Sequence, residues 1–152
     1  MTTIHLTTKI NAPIEKVFDL ARSIDFHVES ASKTKEKAIS GRISGLIELN
    51  ETVTWKGKHF GFYLKHQSLI TAYNYPNHFT DQMVNGHFKS FRHQHIFNTT
   101  SSGTEMIDIV EYKVPLGFLG RILNSIAIKN HLTKFLLSRN RSIKLHLERK
   151  EI

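Results

Sequence analysis

At 152 residues the chain is long enough for one sizeable core and short for several domains, so residues 1–152 are expected to form a single domain. Its composition, 39% hydrophobic and 22% charged, is that of an ordinary soluble protein, and no run approaches a membrane span; the lack of cysteine excludes disulfide and thiolate chemistry. The net charge of +8 is uneven, because residues 116–152 hold eight Lys/Arg against two Asp/Glu. That basic surplus points either to a solvated helix face or to an anionic partner.

Met1-Thr2-Thr3 leads straight into alternation, with Ile4, Leu6, Thr8 and Ile10 on one side of a half-buried strand. No basic and apolar leader precedes it, which together with the absent cysteine fits the cytoplasm. Asn11-Ala12-Pro13 reads as a helix start with Asn11 as cap, and Ile14, Val17, Phe18 and Ala21 share one helical face. Ser23 interrupts, and Ile24 to Ala31 reads as a second short helix. A lysine-rich loop follows to Lys37.

Six further strands are expected: near Ala38-Ile39, from Thr52, over Leu64–Tyr73, Phe79–Val84 and Phe88–Phe97, and over Glu105–Val114. Asn74-Tyr75-Pro76-Asn77, Asn85-Gly86 and Ser101-Ser102-Gly103 supply the turns between the later ones. Short turns make these strands antiparallel. The last quarter then reads as one long helix with two apolar stripes. Leu119, Ile122, Leu123 and Ile126 form the first; Leu132, Leu136, Ile143 and Leu147 form the second, rotated away from it. A bend is expected where they meet, around Lys129-Asn130-His131.

Strand, two short helices, a meander and a long helix make an α+β helix-grip: a strongly curved antiparallel sheet of about seven strands wrapped around the C-terminal helix. Neither element buries its apolar face alone, so the expected result is an internal cavity between them.

The densest chemistry lies in Phe91-Arg92-His93-Gln94-His95-Ile96-Phe97. Period two puts Phe91, His93, His95 and Phe97 on one face. Pairing Asn98 with Glu105 sets Phe97 opposite Met106, His95 opposite Asp108, His93 opposite Val110 and Phe91 opposite Tyr112, matching apolar with apolar and imidazole with carboxylate. A three-residue loop, Asn85-Gly86-His87, brings Asp81 beside Phe91 and His93, on the side of Phe79 and Met83. Paired imidazoles with carboxylates suit a metal site, an acid/base pair or a buried polar network. A His-x-His strand supplies only two metal ligands, so no metal and no cofactor is assigned. His93, His95 and Asp108 are the candidates if a reaction occurs. Phe26, Trp55 and His59 are placed at the cavity, with Ile122 and Ile126 facing it from the helix. No phosphate loop, dinucleotide fingerprint, nucleophile elbow or nucleic-acid motif is present, so no nucleic-acid partner is expected. Arg139, Arg141, Lys144, Arg149 and Lys150 allow a weak contact with an anionic membrane.

Four stretches carry a resemblance: Trp55-Lys56-Gly57-Lys58-His59-Phe60-Gly61, Phe79-Thr80-Asp81-Gln82-Met83, Phe91-Arg92-His93-Gln94-His95 and Tyr112-Lys113-Val114-Pro115-Leu116-Gly117. From Ile4 to about Leu147 the chain resembles the bacterial SRPBCC superfamily, the START-like, pollen-allergen-like helix-grip group. The resemblance implies a deep cavity that binds a hydrophobic small molecule (a lipid, sterol or polyketide-like compound), as carrier or sensor. It also implies an alternative, since related branches include aromatic polyketide cyclase/dehydratases. No cyclase catalytic set maps onto this chain residue by residue.

Overall fold

The computed structural model describes residues 1–149 as β1 (Thr2–Ile10), α1 (Ile14–Ala21), α2 (Ile24–Ser30), β2 (Lys37–Gly41), β3 (Thr52–His59), β4 (Phe62–Asn74), β5 (His78–Asn85), β6 (Ser90–Thr100), β7 (Gly103–Lys113), α3 (Gly117–Leu123) and α4 (Lys129–Glu148). A π-helical turn, Asn124–Ile128, joins α3 to α4 without a break. Lys150, one of the expected basic helix residues, lies outside the described residues. No helix among the described residues is long and apolar enough to cross a membrane.

The strands form one sheet in the order β1-β7-β6-β5-β4-β3-β2, antiparallel throughout. The first strand therefore returns to the last, and the sheet bends around α4. Register shifts in the β2–β3 and β4–β5 pairs add to that bending, since a bulge kinks its strand and sharpens the local twist. The fold is the α+β helix-grip that element order predicts.

Local chemistry explains most boundaries. Ile14, Val17 and Phe18 bury the inner face of α1. Phe18 sits in an aromatic cage, with ring centroids 5.5 Å from Tyr73, 5.1 Å from Tyr75, 5.3 Å from Phe79 and 5.2 Å from Phe97. The cap differs from expectation. Pro13, not Asn11, is the residue at the start of α1 and offers no side-chain acceptor, while the Asn11 N–H donates to Glu148 at 2.8 Å. Ser23 caps α2 by accepting from the Phe26 N–H at 3.1 Å. Strand β3 runs past Trp55 to His59 and turns on Phe60-Gly61, both at positive φ, 52° and 82°. Two such residues make the tight hairpin turn that matches strand twist, and Gly61 takes its place there without steric cost. Phe60 does not read as a turn residue, which is why this hairpin is hidden in the sequence.

The long helix corrects one expectation outright. Leu119, Ile122, Leu123 and Ile126 face solvent, Ile126 at 69% exposure. The inward line runs through Gly120, Asn124, Ile128, Leu132, Leu136, Asn140 and Ile143, four residues apart until the last step. Gly120 causes this: a side chain there would collide with the Pro115 carbonyl, so the helix backbone sits directly on the corner after β7. Asn124 continues that face, accepting from the Tyr112 hydroxyl at 2.6 Å and donating to Thr2 at 3.0 Å. The second stripe is placed as expected, with Leu136 and Ile143 buried and Leu132 and Leu147 packed against the core. The irregularity precedes Lys129, in the π turn, where an extra residue shifts the helix face.

Candidate functional site

Strands β5, β6 and β7 build one wall of the interior. Their register is the one that side-chain matching selects: Phe97 opposite Met106, His95 opposite Asp108, His93 opposite Val110, Phe91 opposite Tyr112. Asp81 stands opposite His93, on the histidine side as expected, although the β5–β6 connection spans Gly86–Lys89 and is longer than a three-residue loop.

The side chains cross rather than pairing straight over. His93 Nε2 donates to Asp108 Oδ1 at 2.7 Å, and His95 Nε2 donates to Asp81 Oδ2 at 2.7 Å. The expected His95–Asp108 contact is looser, 3.5 Å from Nδ1, and His93 Nδ1 lies 4.0 Å from Asp81 Oδ2. The two imidazoles stack at 3.7 Å, and Phe79 stacks on His95 at 4.0 Å. Stacking explains the crossing: one ring lies over the other, so each points its Nε2 to a different carboxylate.

Asp108 is fully buried and is held from the helix side as well. Arg139 Nη2 donates to its Oδ1 at 3.1 Å and Asn140 Nδ2 to its Oδ2 at 2.8 Å. Arg139, expected as a membrane-facing cation, is therefore a core residue at 8% exposure. Lys144 is likewise engaged, donating to the Lys9 carbonyl at 2.6 Å and to Glu148 at 2.8 Å.

Electrostatics follow from this arrangement. Burial alone would raise the Asp108 pKa, but the Arg139 charge and the His93 bond outweigh it and hold it well below the carboxylate range. Burial opposes ionisation of Asp81 too, yet its bond from His95 and the neighbouring imidazoles bring it down to about 2. Burial pushes His95 down to about 4, with His93 adding to the effect and Asp81 resisting it. Burial likewise takes His27 to about 4.

In front of this wall lies a cavity of about 230 Å³ between the sheet and α4. Of the residues expected there, Trp55, His59, Phe79, Asp81, Phe91, His93 and His95 line it. Phe26, Phe97 and Met106 are packed in the core instead, Asp108 and Tyr112 stand fully buried behind the wall, and Met83 is half-buried beside Gly86. Ile122 and Ile126 point to solvent, for the reason Gly120 supplies.

A second polar group at the cavity is not foreseen in the sequence. His59 Nδ1 and His131 Nε2 share a hydrogen bond of 2.8 Å, joining the end of β3 to α4. Glu36 approaches His59 Nε2 at 3.7 Å and occupies the space that a side chain at Gly57 would need. Among the described residues its Oε2 has no partner, nor has Nε2 of His27, which stacks on Trp55 at 3.9 Å. His131 and Phe135 are not among the residues expected at the cavity, although their places beside Leu132 and Leu136 are the signal that points to them. Glu36 gives no such signal, because it sits in a lysine-rich stretch that reads as surface loop.

No family model matches the sequence, and no curated protein matches it. Solved structures do. Ginseng major latex-like protein 151 from Panax ginseng is 18% identical with a TM-score of 0.71, over 97% of this chain and 98% of that one. Protein CV1439 from Chromobacterium violaceum is 10% identical with a TM-score of 0.75, over 97% and 98%. The KanY protein is 12% identical with a TM-score of 0.76, again over 97% and 98%. At these identities the likeness is one of fold, and across nearly its whole length this chain has the helix-grip fold.

Proposed function

We propose that the chain is a single ligand-binding domain that holds a hydrophobic small molecule in the cavity between sheet and α4, as a cytoplasmic carrier or sensor. The observation that carries this reading is the cavity's composition: Trp55, Phe79, Phe91 and Phe135 supply apolar walls, and Asp81, His93 and His95 form one polar wall held in place from behind. Ligand sites combine these features, apolar surface for affinity and a few fixed polar groups for orientation. The volume narrows the ligand class. About 230 Å³ is below the ~300–1,000 Å³ usual for drug-sized ligands, which favours a compact ring compound of the polyketide-like kind over a full sterol or diacyl lipid.

Trp55 is the one tryptophan of the chain and lines the cavity, so its fluorescence reports occupancy. Titration with a panel of compact hydroxylated aromatic compounds is expected to give a saturable change, confirmed by calorimetry. A panel of graded size that leaves both signals flat overturns the reading.

A second reading, cyclase- or dehydratase-like proton transfer, is favoured by the His93–Asp108 pair. A carboxylate that orients one ring nitrogen leaves the other available for proton exchange. Turnover of a bound compound that His93→Gln abolishes while binding persists would select this reading over carriage.

A further inference from the structure

We propose that Asp81, His93 and His95 form a binding site for one divalent first-row transition metal ion, open to the cavity. The three residues converge: one oxygen of Asp81 and one nitrogen of each histidine all lie within 4.8 Å of one another. Asp81 Oδ2 is 2.7 Å from His95 Nε2 and 4.0 Å from His93 Nδ1. Those distances bracket the ~3.3 Å between ligands that tetrahedral geometry sets for metal–nitrogen bonds of about 2.0–2.1 Å. A small movement of the Asp81 carboxylate, which keeps some exposure where the histidines are buried, equalises them, and the two rings, stacked at 3.7 Å and 26° apart, must splay further so that both in-plane lone pairs meet at the ion.

The nitrogens that remain are the stronger argument. With His93 Nδ1 and His95 Nε2 on a metal, His93 Nε2 and His95 Nδ1 must carry the protons. Both face the same acceptor, Asp108 Oδ1, at 2.7 Å and 3.5 Å. Metal-bound histidines characteristically donate their second N–H to a carboxylate, and here one carboxylate serves both. Asp108 is itself fixed by Arg139 and Asn140. Without a metal, the pairing is incomplete. His95 donates its Nε2–H to Asp81, and its buried Nδ1 then presents a lone pair towards Asp108 and has no hydrogen-bond partner among the described residues. Moving the proton from Nε2 to Nδ1 while a metal takes Nε2 resolves that mismatch with no net proton released.

Charge points the same way. Asp81 and Asp108 bring two negative charges and Arg139 one positive charge, so the cluster lacks one cation among the described groups touching it. Two imidazoles with one carboxylate suit Zn²⁺, Co²⁺ or Fe²⁺, and three protein ligands leave a position for a cavity molecule.

The test needs no organic ligand, so its outcome is independent of whether the cavity binds an apolar compound. Chelator-treated protein is titrated with Co²⁺ and followed by visible d–d absorption, then back-titrated with Zn²⁺. One Co²⁺ per chain with bands of four- or five-coordinate geometry, displaced by an equivalent of Zn²⁺, is expected. Asp108→Asn should weaken affinity by about 10–100-fold, the usual loss for a supporting residue, and Asp81→Asn by more. His131→Gln, at the other histidine pair, should leave it unchanged. Ring-nitrogen NMR on the unaltered protein reads the same event without a variant: the His95 proton moves from Nε2 to Nδ1 on adding Zn²⁺. Absence of a one-to-one complex, binding unchanged by Asp81→Asn, binding lost only in His131→Gln, or a His95 proton that stays on Nε2 in the presence of Zn²⁺ would each overturn the proposal.

Discussion

Arg139, in the middle of α4, donates to Asp108, in the middle of β7, at 3.1 Å, and neither side chain has appreciable access to water. This pair ties the helix to the wall that carries His93 and His95. Removing one partner leaves a buried charge, which costs ~3–5 kcal/mol, whereas replacing both with apolar groups of similar size can be close to neutral. Asp108→Leu and Arg139→Met are therefore each expected to destabilise by about 3–5 kcal/mol in urea unfolding, and the double variant by clearly less than their sum. Simple additivity would mean the two residues do not act as a pair.

The two stripes of the C-terminal helix make opposite predictions. Leu136 is 6% exposed and Ile126 is 69% exposed. Leu136→Ala should cost ~2–5 kcal/mol as a buried large-to-small change, and Ile126→Ala should stay within about 0.5 kcal/mol. Equal losses in denaturant midpoint would restore the sequence-based orientation of the first stripe.

Element order and pairing were legible because alternation and turn residues are local signals. The register of β6 on β7 was legible because only one offset matches apolar with apolar and imidazole with Asp108. The face of α3 was not. It is set by the close approach of Gly120 to Pro115, and a glycine carries no hydrophobic signal to read. Arg139 and Asn140 were hidden for a related reason, since a polar residue on a helix reads as solvent-facing until a buried carboxylate is placed beneath it. The crossed His–Asp pairing follows from ring stacking, which strand periodicity does not specify.

Acid should act in two stages. His27 and His95 sit at about 4 in the folded chain against 6.5 when unfolded, so between these values the unfolded state binds more protons. Stability thus falls as pH drops from about 6.5 to 4, by an amount on the order of 1–3 kcal/mol per imidazole. Asp81, at about 2 against 3.8, contributes above 3.8 and loses that contribution between about 4 and 2. His27→Phe keeps a ring over Trp55 and should flatten the upper stage, read as urea midpoints between about pH 7 and 4.5. An unchanged slope would mean that His27 does not drive the upper stage.

The weak anionic-membrane contact expected from the sequence would now rest on Arg141 and Arg149, both exposed, since Arg139 and Lys144 are engaged within the fold. Co-sedimentation with anionic vesicles should fall with added salt and with Arg141→Gln plus Arg149→Gln. Equal binding to neutral and anionic vesicles would contradict it.

Native mass spectrometry of freshly purified protein decides whether the cavity holds a ligand, with Ser68→Phe as the comparison, because Ser68 is buried and lines the cavity. A compact apolar compound is expected bound one to one, released on denaturation and absent from Ser68→Phe at the same folded charge state. A protein that carries no compound, or a compound retained equally when the cavity is filled, would contradict ligand binding in the cavity.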